Sequence, residues 1–301
     1  METGSYWIER RATLLGAAGR VWLDALPDLV ARLCDRWALV PEAELSGGTS
    51  AWVARVGGAD GTRAVLKIAL PDATSERELA VLLAAEGRGY ARVLAADPEH
   101  RAVLLELLGP SLDDAGLTPD EQIAALCAAL RDAWRVPRGD LAPEPKAEQL
   151  AELVARLWNE LDRPCSARVR DRALECARRR AADTDRLVVV HGDPHPGNAL
   201  RRPDGTFVFV DPDGFVADPA YDLGVVLRDW CPELLAGDAV ALAARYCGLL
   251  AGHTGIDGAA IAEWGFLERV SSGLHILELG RADLAAPFLE TAELLAEQGP
   301  P

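Results

Sequence analysis

The side chains with the clearest chemical potential lie in two loops, each directly after a short apolar run. The loops are residues 191–198 (HGDPHPGN) and 211–214 (DPDG), and the apolar runs are residues 187–190 (LVVV) and 207–210 (FVFV). The apolar runs predict buried strands, and the prolines and glycines predict rigid loops. An aspartate can accept the proton of a substrate hydroxyl, while an asparagine and a second aspartate can hold Mg²⁺ on nucleotide phosphates. The order Asp193, Asn198, Asp211 therefore predicts phosphoryl transfer.

Two other interpretations of these loops are a polar turn between the strands of a meander and a metal hydrolase. The hydrolase would use His191 and His195, whose spacing of four would put both on one face of a helix. Pro194 and Pro196 disfavour a helix there, and no further His or Cys cluster in the sequence completes a metal site. Phosphoryl transfer is the favoured interpretation.

A lysine in an apolar strand points to the same chemistry. The chain has two lysines, Lys67 and Lys146, and Lys67 lies in the middle of residues 64–70 (AVLKIAL). A buried ammonium without an anion is costly, and the α- and β-phosphates of ATP together with a helix carboxylate would supply one. Glu78 in the following helix is the predicted carboxylate, and Glu76 is the alternative. A lysine on a solvent-facing strand surface is the other interpretation of Lys67.

The surrounding residues predict the rest of a nucleotide-binding sheet. Residues 51–56, 90–95 and 102–108 have the composition of strands. A glycine-bearing turn precedes residue 51, and its backbone amides could approach phosphates, although an ordinary hairpin has the same sequence features. Its candidate nucleotide-binding residues are Ser46, Gly47, Gly48, Thr49 and Ser50. In a bilobal kinase, the hinge after the last strand presents backbone groups to adenine; here these are Glu106 and Leu108.

Helices are predicted around the sheet. Residues 1–44 carry apolar side chains at three- and four-residue steps, which predicts a helical segment with Pro27 near the first turn and Pro41 at the end. Asp72, or residues 74–75, can begin the helix after residue 70.

The C-terminal two thirds are predicted to be mainly helical. Thr118 followed by Pro119 has the features of a helix start. Further helices are predicted over residues 148–161, 166–182, 238–250, 259–279 and 285–297. Asp218 and Asp222 are expected to accept hydrogen bonds from backbone amides and to brace the loop that carries Asp193.

Length, charge and cysteine usage limit the classes of function. A chain of 301 residues is long enough for two lobes with their own cores. The six scattered cysteines indicate buried thiols in a reducing compartment. No apolar run approaches the ~20 residues of a membrane helix, and the N-terminus lacks the pattern of a secretory signal, so a cytoplasmic protein is predicted. The net charge of −16 argues against nucleic acid as a partner, and the lack of a long apolar run argues against a membrane partner. It suits a cationic small substrate, or simply a soluble surface.

Taken together, these residues resemble the aminoglycoside phosphotransferases, and within them the streptomycin/hydroxyurea phosphotransferase group. The resemblance is carried by Trp37-Ala38-Leu39, Ala64-Val65-Leu66-Lys67, Gly87-Arg88-Gly89-Tyr90, residues 94–99, the loop at 191–200, Asp211-Pro212, and residues 218–222. It implies an α+β, bilobal protein-kinase-like fold, with a small N-terminal lobe containing an antiparallel sheet (residues 1–108) and a larger, mainly helical lobe (109–301). It also implies that Asp193 is the base, that Asn198 and Asp211 bind Mg²⁺, and that Lys67, paired with Glu78, contacts the phosphates of ATP.

The resemblance implies an ATP-dependent O-phosphotransferase whose acceptor is an aminoglycoside such as streptomycin. Asp213 departs from the pattern, since a lysine is expected there in streptomycin-modifying members. Glu268 and His275 share a helix face that could line an acceptor pocket or face water, and water is slightly favoured. With Asp213 they are the candidate substrate-binding residues. Alternatives are a kinase for an amino alcohol or sugar and a non-catalytic nucleotide-binding protein of kinase fold; monomer and homodimer are both compatible.

Overall fold

The computed structural model describes residues 4–45, 50–139, 141–183 and 186–297. The chain divides into two compact units, Met1–Gly109 and Pro110–Pro301. Within the described ranges, no helix combines the length and the hydropathy needed to cross a bilayer. All six cysteines are buried as free thiols, as their scattered positions predict.

The first unit is built on a five-stranded antiparallel sheet with the order β1-β2-β3-β5-β4. Its elements are α1 (Gly4–Leu14), α2 (Ala17–Trp37), β1 (Leu39–Glu44), β2 (Ala51–Gly58), β3 (Arg63–Ala69), α3 (Ala73–Ala85), β4 (Val93–Asp97) and β5 (Ala102–Glu106). Leu29 and Leu33 of α2 pack on Leu66 and Ile68 of β3 in one core. Because side chains alternate along a strand, Lys67 lies on the opposite face of the sheet from this core.

Two predictions for the N-terminal segment are wrong. Residues 39–44 form β1 instead of the end of a helix, and Pro41 is tolerated there because β1 is an edge strand with an irregular register beside it. Pro27 lies inside α2, because the helix begins at residue 17. Trp22 and Leu26 also pack on the sheet core, and this burial offsets the hydrogen bond that Pro27 cannot donate.

The strands after α3 are shifted from their predicted limits. Strand β4 runs over Val93–Asp97 instead of residues 90–95, and β5 ends at Glu106. Between them lies a short 3₁₀ turn, Pro98–His100, in which the Asp97 carboxylate accepts a hydrogen bond from the His100 amide. Asp97 of β4 pairs with Ala102 of β5 on either side of this turn, so β4 extends as far as the turn.

The second unit is mainly helical and contains two short two-stranded antiparallel sheets, β6 with β9 and β7 with β8. Its elements are α4 (Pro119–Ala133), α5 (Lys146–Glu160), α6 (Ala167–Ala181), β6 (Val188–Val190), β7 (Ala199–Arg201), β8 (Phe207–Phe209), β9 (Phe215–Ala217), α7 (Ala220–Leu227), α8 (Cys231–Ala236), α9 (Ala239–Thr254), α10 (Gly258–Glu278) and α11 (Ala282–Glu297). Helix α10 packs against α5, α6, α7, α9 and α11. It is the central element of this unit.

The predicted helix starts are confirmed by their capping contacts. The Asp72 carboxylate caps α3 through the Ser75 amide. Thr118 caps α4 in a capping box with Glu121, with Pro119 in the first position. These local motifs depend only on neighbouring residues, which is why the sequence is sufficient to place them.

The sequence does not predict α7, which packs against α10, α4 and α9 in the second unit. All eight residues of α7 are buried, so the helix has no alternation of apolar and polar faces to detect. Its Gly224 lies so close to α10 that a Cβ atom there would be 2.4 Å from the Cβ of Trp264. The small residue therefore sets the separation of the two helices.

Candidate active site

Asp222 on α7 holds the loop that carries the predicted base. Its carboxylate is fully buried and accepts hydrogen bonds from the backbone amides of His191 (2.9 Å) and Gly192 (2.9 Å) and from the Trp134 indole (2.8 Å). Burial raises the pKa of Asp222 to about 6, and the three donors oppose that rise. The predicted bracing role is confirmed for this residue.

For Asp218 the predicted hydrogen bond from a backbone amide is confirmed, but the donors are Ala220 and Trp264 instead of the loop that carries Asp193. The Asp218 carboxylate accepts from the Ala220 amide (2.9 Å) and the Trp264 indole (3.3 Å). Ala220 is the first residue of α7. Because a helix begins with amides that have no partner inside the helix, Asp218 satisfies one of them and fixes the start of α7.

His191 connects the two loops from a fully buried position. Its Nδ1 accepts a hydrogen bond from the Asp193 amide (3.1 Å), and its Nε2 lies 2.9 Å from the Val210 carbonyl oxygen. Burial lowers the pKa of His191 to about 4. The imidazole is therefore neutral near pH ~7, with its proton on Nε2 and directed at Val210. The residue positions backbone instead of binding a metal, which removes the main support for the hydrolase interpretation.

We expect His191 to make stability depend on pH in mildly acidic solution. The unfolded chain takes up a proton near pH 6.5, whereas the folded protein does so only near pH 4. The contribution of the neutral imidazole is therefore complete above pH ~6.5 and is lost as the pH falls toward ~4. Urea unfolding across this window should show a fall in the free energy of unfolding that is roughly 3 kcal/mol larger in the wild type than in His191→Asn. Equal falls in the two proteins would contradict the buried neutral state.

The carboxylate of Asp193 is ionised and accessible. Burial alone would raise the pKa of Asp193, but the charge of Arg228 and its hydrogen bond to the carboxylate help to outweigh burial, and the pKa lies below its ordinary value. The side chain remains 39% exposed, which leaves room for a substrate hydroxyl. Its Oδ1 accepts a short hydrogen bond from Arg228, and its Oδ2 lies 3.7 Å from Nε2 of His195. A general base must be ionised and accessible to its substrate, and the Asp193 carboxylate is ionised and partly exposed.

Arg228, at the C-terminal end of α7, is a site residue that the sequence does not single out. Its guanidinium contacts Asp193, the Glu268 carboxylate (3.0 Å) and the Ser272 hydroxyl (3.3 Å). It is one of 29 arginines and belongs to no motif. The sequence offers one indirect indication of such a cation. Glu268 stands among the apolar residues of a central helix, and a buried carboxylate requires a cation.

The residues predicted to share a polar face of α10 differ in exposure. Glu268 is buried beside Arg228, so the expectation that it faces water is wrong. His275 is exposed and lies 3.1 Å from Glu278 on the same helix, so for this residue the expectation is confirmed. Glu268 is covered through its contact with Arg228 at the end of α7, whereas His275 lies seven residues further along α10 and is exposed.

Asn198 and Asp211 lie together at one end of the β7–β8 pair. Ala199 is paired with Phe209, and the Val210 amide donates to the Asn198 carbonyl (2.9 Å). The Asn198 amide nitrogen donates to the Asp193 carbonyl (3.0 Å), which leaves its amide oxygen as the atom for a ligand. Asp211 is exposed and has a φ of 57°, in the left-handed region that aspartate tolerates. An amide oxygen and a carboxylate are hard donors that fit Mg²⁺.

Asp213 packs against the loop of Asp193. Its amide donates to the His191 carbonyl (2.8 Å). A Cβ atom added to Gly192 would lie 2.5 Å from the Cβ of Asp213, and the φ of Gly192 is +96°. Glycine is therefore required at position 192 for both space and backbone conformation. The close approach places the Asp213 side chain beside the same loop.

In the first unit, Lys67 and Glu78 form a buried ion pair. Their side chains are 5% and 11% exposed. Glu76, the alternative partner, instead contacts Arg101 at 3.2 Å and is 68% exposed. The pair orients the ammonium from β3 toward α3.

The other predicted nucleotide-binding residues are divided between described and undescribed parts of the chain. Ser46, Gly47, Gly48 and Thr49 lie outside the described residues. Ser50 is described, and its carbonyl accepts a hydrogen bond from the Leu70 amide (2.9 Å). Glu106 ends β5, and its carboxylate accepts a hydrogen bond from the Arg92 amide (2.8 Å). Leu108 follows in irregular backbone and is half-buried.

Comparison with known proteins identifies the family of this chain. The family model described as aminoglycoside/hydroxyurea antibiotic resistance kinase matches residues 36–280. The chain belongs to this family. It is 31% identical to the streptomycin 6-kinase of Streptomyces glaucescens over 94% of both chains. It is also 31% identical to the hydroxyurea phosphotransferase of Kitasatospora aureofaciens, over 93% of this chain and 82% of that one.

The fold of this kinase family member is the predicted one. The structure of an aminoglycoside phosphotransferase, APH(4)-Ia, in a ternary complex with AMP-PNP and hygromycin B matches with a TM-score of 0.64 and 18% identity, covering 89% of this chain and 97% of that chain. This likeness shows the protein-kinase-like fold, with an antiparallel sheet in the first unit and a mainly helical second unit. The protein is a small-molecule phosphotransferase.

Proposed function

We propose that this kinase transfers the γ-phosphoryl group of ATP to a hydroxyl of an aminoglycoside-type antibiotic such as streptomycin. The observation that carries the proposal is the ionised, accessible Asp193 carboxylate on a loop that Asp222 and His191 hold in place. The kinship with a streptomycin 6-kinase supports the acceptor class. The reaction is placed in the cytoplasm, and nucleic acid is not a partner.

In this proposal each unit supplies part of the chemistry. Residues 1–108 form the nucleotide lobe, where Lys67, oriented by Glu78, contacts the phosphates. Residues 109–301 form the catalytic and acceptor lobe. Asp193 accepts the hydroxyl proton as the new oxygen–phosphorus bond forms, which raises the nucleophilicity of the oxygen at the moment of attack. Asn198 and Asp211 would hold Mg²⁺, which when bound neutralises charge on the phosphates.

The remaining nucleotide contacts are proposed from the same family pattern. The turn residues Ser46, Gly47, Gly48, Thr49 and Ser50 would approach the phosphates through backbone amides. Backbone groups of Glu106 and Leu108 would contact the adenine.

The charge around Asp193 suits a cationic acceptor. Asp193 and Glu268 contact one guanidinium, Arg228, and Asp213 lies beside the same loop. Three carboxylates against one cation leave a negative local charge, which attracts a cation and raises its local concentration. We propose Asp213 and Glu268 as acceptor-binding residues, with Glu268 acting through Arg228. His275 is a more peripheral candidate, because it is exposed and contacts Glu278.

The proposal is tested by ADP release from Mg-ATP with a panel of acceptors. The panel contains streptomycin, other aminoglycosides, hydroxyurea, choline and simple sugars. We expect release that depends on streptomycin or another aminoglycoside. Release with choline or a sugar alone would instead establish a metabolite kinase, and ATP binding without release for any acceptor would support a non-catalytic protein. Mass spectrometry of the product identifies the hydroxyl that carries the phosphate.

We expect Asp211→Asn to raise the Mg²⁺ concentration for half-maximal activity by at least ~10-fold, because a charged oxygen ligand is replaced by a neutral one. The exposed position and the tolerance of asparagine for positive φ should leave the fold intact. Asp204→Asn is the matched control, since Asp204 is an exposed aspartate in the turn of the same β7–β8 pair. An unchanged Mg²⁺ dependence in Asp211→Asn would remove Asp211 from the metal site.

A further inference from the structure

The loop that carries Asp193 contains a second histidine, His195, which has no role in the site described above. His191 is fully buried, whereas the His195 side chain is 36% exposed. Pro194 and Pro196 flank His195, and their fixed φ angles limit the conformations of this part of the loop. His195 is therefore a firmly held imidazole at the surface of the loop, beside the proposed base.

Three of the four hydrogen-bonding groups of His195 are used within the loop itself. Its backbone amide donates to the Asp193 carbonyl (2.9 Å), and its own carbonyl accepts from the Asn198 amide (2.9 Å). Its ring Nδ1 accepts from the Gly197 amide (3.1 Å). A ring nitrogen that accepts a hydrogen bond carries no proton, so the proton of this imidazole is on Nε2. The fourth group is therefore an N–H donor at Nε2.

Gly197 fixes the position of the His195 ring as well as the place of its proton. A Cβ atom at residue 197 would lie 2.8 Å from Cε1 and 2.9 Å from Nδ1 of His195, so the ring packs directly on the glycine backbone. The backbone of His195 is extended, with a φ of −80° and a ψ of 160°, as is usual for a residue whose side chain caps a helical turn. The direction of the Nε2–H bond is therefore set before any substrate binds.

Nε2 of His195 lies beside the carboxylate oxygen of Asp193 that Arg228 leaves free. Arg228 donates to Oδ1 of Asp193, whereas Oδ2 lies 3.7 Å from Nε2, and neither Oδ2 nor Nε2 has a hydrogen-bond partner among the described residues. The separation is too long for a direct hydrogen bond, since N–H···O distances are ~2.7–3.2 Å. A single oxygen atom beside the two groups can nevertheless lie within ~3 Å of both. Both side chains are more than a third exposed, so a substrate oxygen can reach this position.

We propose that Nε2–H of His195 donates a hydrogen bond to the oxygen of the acceptor hydroxyl, while that hydroxyl donates to Oδ2 of Asp193. This inference rests on the proposed kinase function, in which Asp193 is the base. A hydroxyl oxygen has two lone pairs, and His195 holds one of them, so that the other is directed at the γ-phosphorus. As the new oxygen–phosphorus bond forms, the bond from the γ-phosphorus to the oxygen that leaves with ADP breaks. The hydroxyl proton passes to Asp193, and the His195 proton stays on Nε2.

Asparagine and glutamine each reproduce one half of the imidazole, so together they separate this role from a structural one. The asparagine oxygen takes the place of Nδ1 and can accept from the Gly197 amide at this capping position, but asparagine has no donor at the place of Nε2. The glutamine amide reaches the place of Nε2 with an N–H group and leaves the Gly197 amide without its acceptor. We expect the acceptor-dependent kcat to fall roughly tenfold in His195→Asn and at most about threefold in His195→Gln.

His253 is the matched control, because it is an exposed histidine near the end of α9 and belongs to no proposed site. His253→Asn and His253→Gln should retain wild-type turnover. Nucleotide affinity, measured by calorimetry, should be unchanged in both His195 variants, because the proposed contact is made to the acceptor. Turnover in His195→Asn equal to or above that in His195→Gln would overturn the proposal. Weaker nucleotide binding in His195→Asn would overturn it too, because the donor would then serve the nucleotide.

Nitrogen-15 NMR of the histidine side chains tests the same contact without turnover. The chain has five histidines, and the spectrum of His195→Asn identifies the signals of His195 by their loss. At pH ~8, above the ordinary titration range of histidine, we expect a proton on Nε2 and none on Nδ1. The acceptor that gives the highest turnover in the panel should shift the Nε2 signal. A proton on Nδ1, or an Nε2 signal that the acceptor does not shift, would overturn the proposal.

Asp193→Asn, measured alongside, separates this inference from the proposed function. A wild type without acceptor-dependent ADP release, or wild-type turnover in Asp193→Asn, would contradict the proposed function and remove the basis of this role for His195. If the wild type is active and Asp193→Asn is not, the function stands. The order of activity of His195→Asn and His195→Gln then decides the role of His195 by itself.

Discussion

We expect Asp193→Asn to lower kcat for phosphoryl transfer by ~10²–10⁴-fold. The amide has nearly the shape of the carboxylate but cannot accept the proton of the acceptor hydroxyl. The loop should keep its position, because Asp222 and His191 hold it through the backbone amides of residues 191–193. Arg228 loses one anionic partner and retains the other, Glu268. The loss should therefore appear in the chemical step and not in folding.

The measurement is acceptor-dependent ADP release in the wild type and the variant, with nucleotide affinity determined separately by calorimetry. Asp204→Asn, an exposed aspartate in the β7–β8 turn, is the control and should retain full activity. Turnover close to that of the wild type in Asp193→Asn would show that another group accepts the proton. Loss of nucleotide binding in that variant would show that the substitution acts on the fold and not on proton transfer.

The parts of this protein that the sequence predicts well are those determined by local patterns. Thr118 and Asp72 cap helices because a hydroxyl or carboxylate can reach an amide three residues later. The order of Asp193, Asn198 and Asp211 is informative because prolines and glycines exclude regular structure in the loop, and an apolar run precedes each loop. Lys67 is conspicuous because an ammonium inside an apolar strand requires an anion.

The parts that the sequence misses depend on contacts between distant residues. Arg228 contacts Asp193 and Glu268, which are 35 and 40 residues away along the chain. The buried helix α7 and the strand β9 have no polar face, so neither periodicity nor length distinguishes them. The local sequence pattern predicts that Pro41 ends a helix. Proline is tolerated in β1 because that strand lies at the edge of the sheet, and this edge position depends on the whole sheet and not on the local pattern.

The second large effect is expected at the buried pair of Lys67 and Glu78. Lys67→Met leaves the Glu78 carboxylate, which is 11% exposed, without its ammonium partner. Removing one member of a buried pair typically costs ~3–5 kcal/mol, so we expect the free energy of unfolding to fall by about that amount. Activity should also be lost, because the proposed phosphate contact is removed. Chemical denaturation and ADP release measure the two losses separately.

The double variant Lys67→Met/Glu78→Leu separates structure from function at this pair. Replacing both members of a buried ion pair by apolar residues is often neutral or stabilising, so stability should return toward the wild-type value. Activity should remain lost, since the ammonium proposed to contact the phosphates is absent. Glu76→Gln on the same helix is the control, because Glu76 is 68% exposed in its contact with Arg101 and such pairs contribute only ~0–1 kcal/mol. If the double variant regained activity along with stability, Lys67 would serve the fold alone, and the phosphates would have to be bound by other cations.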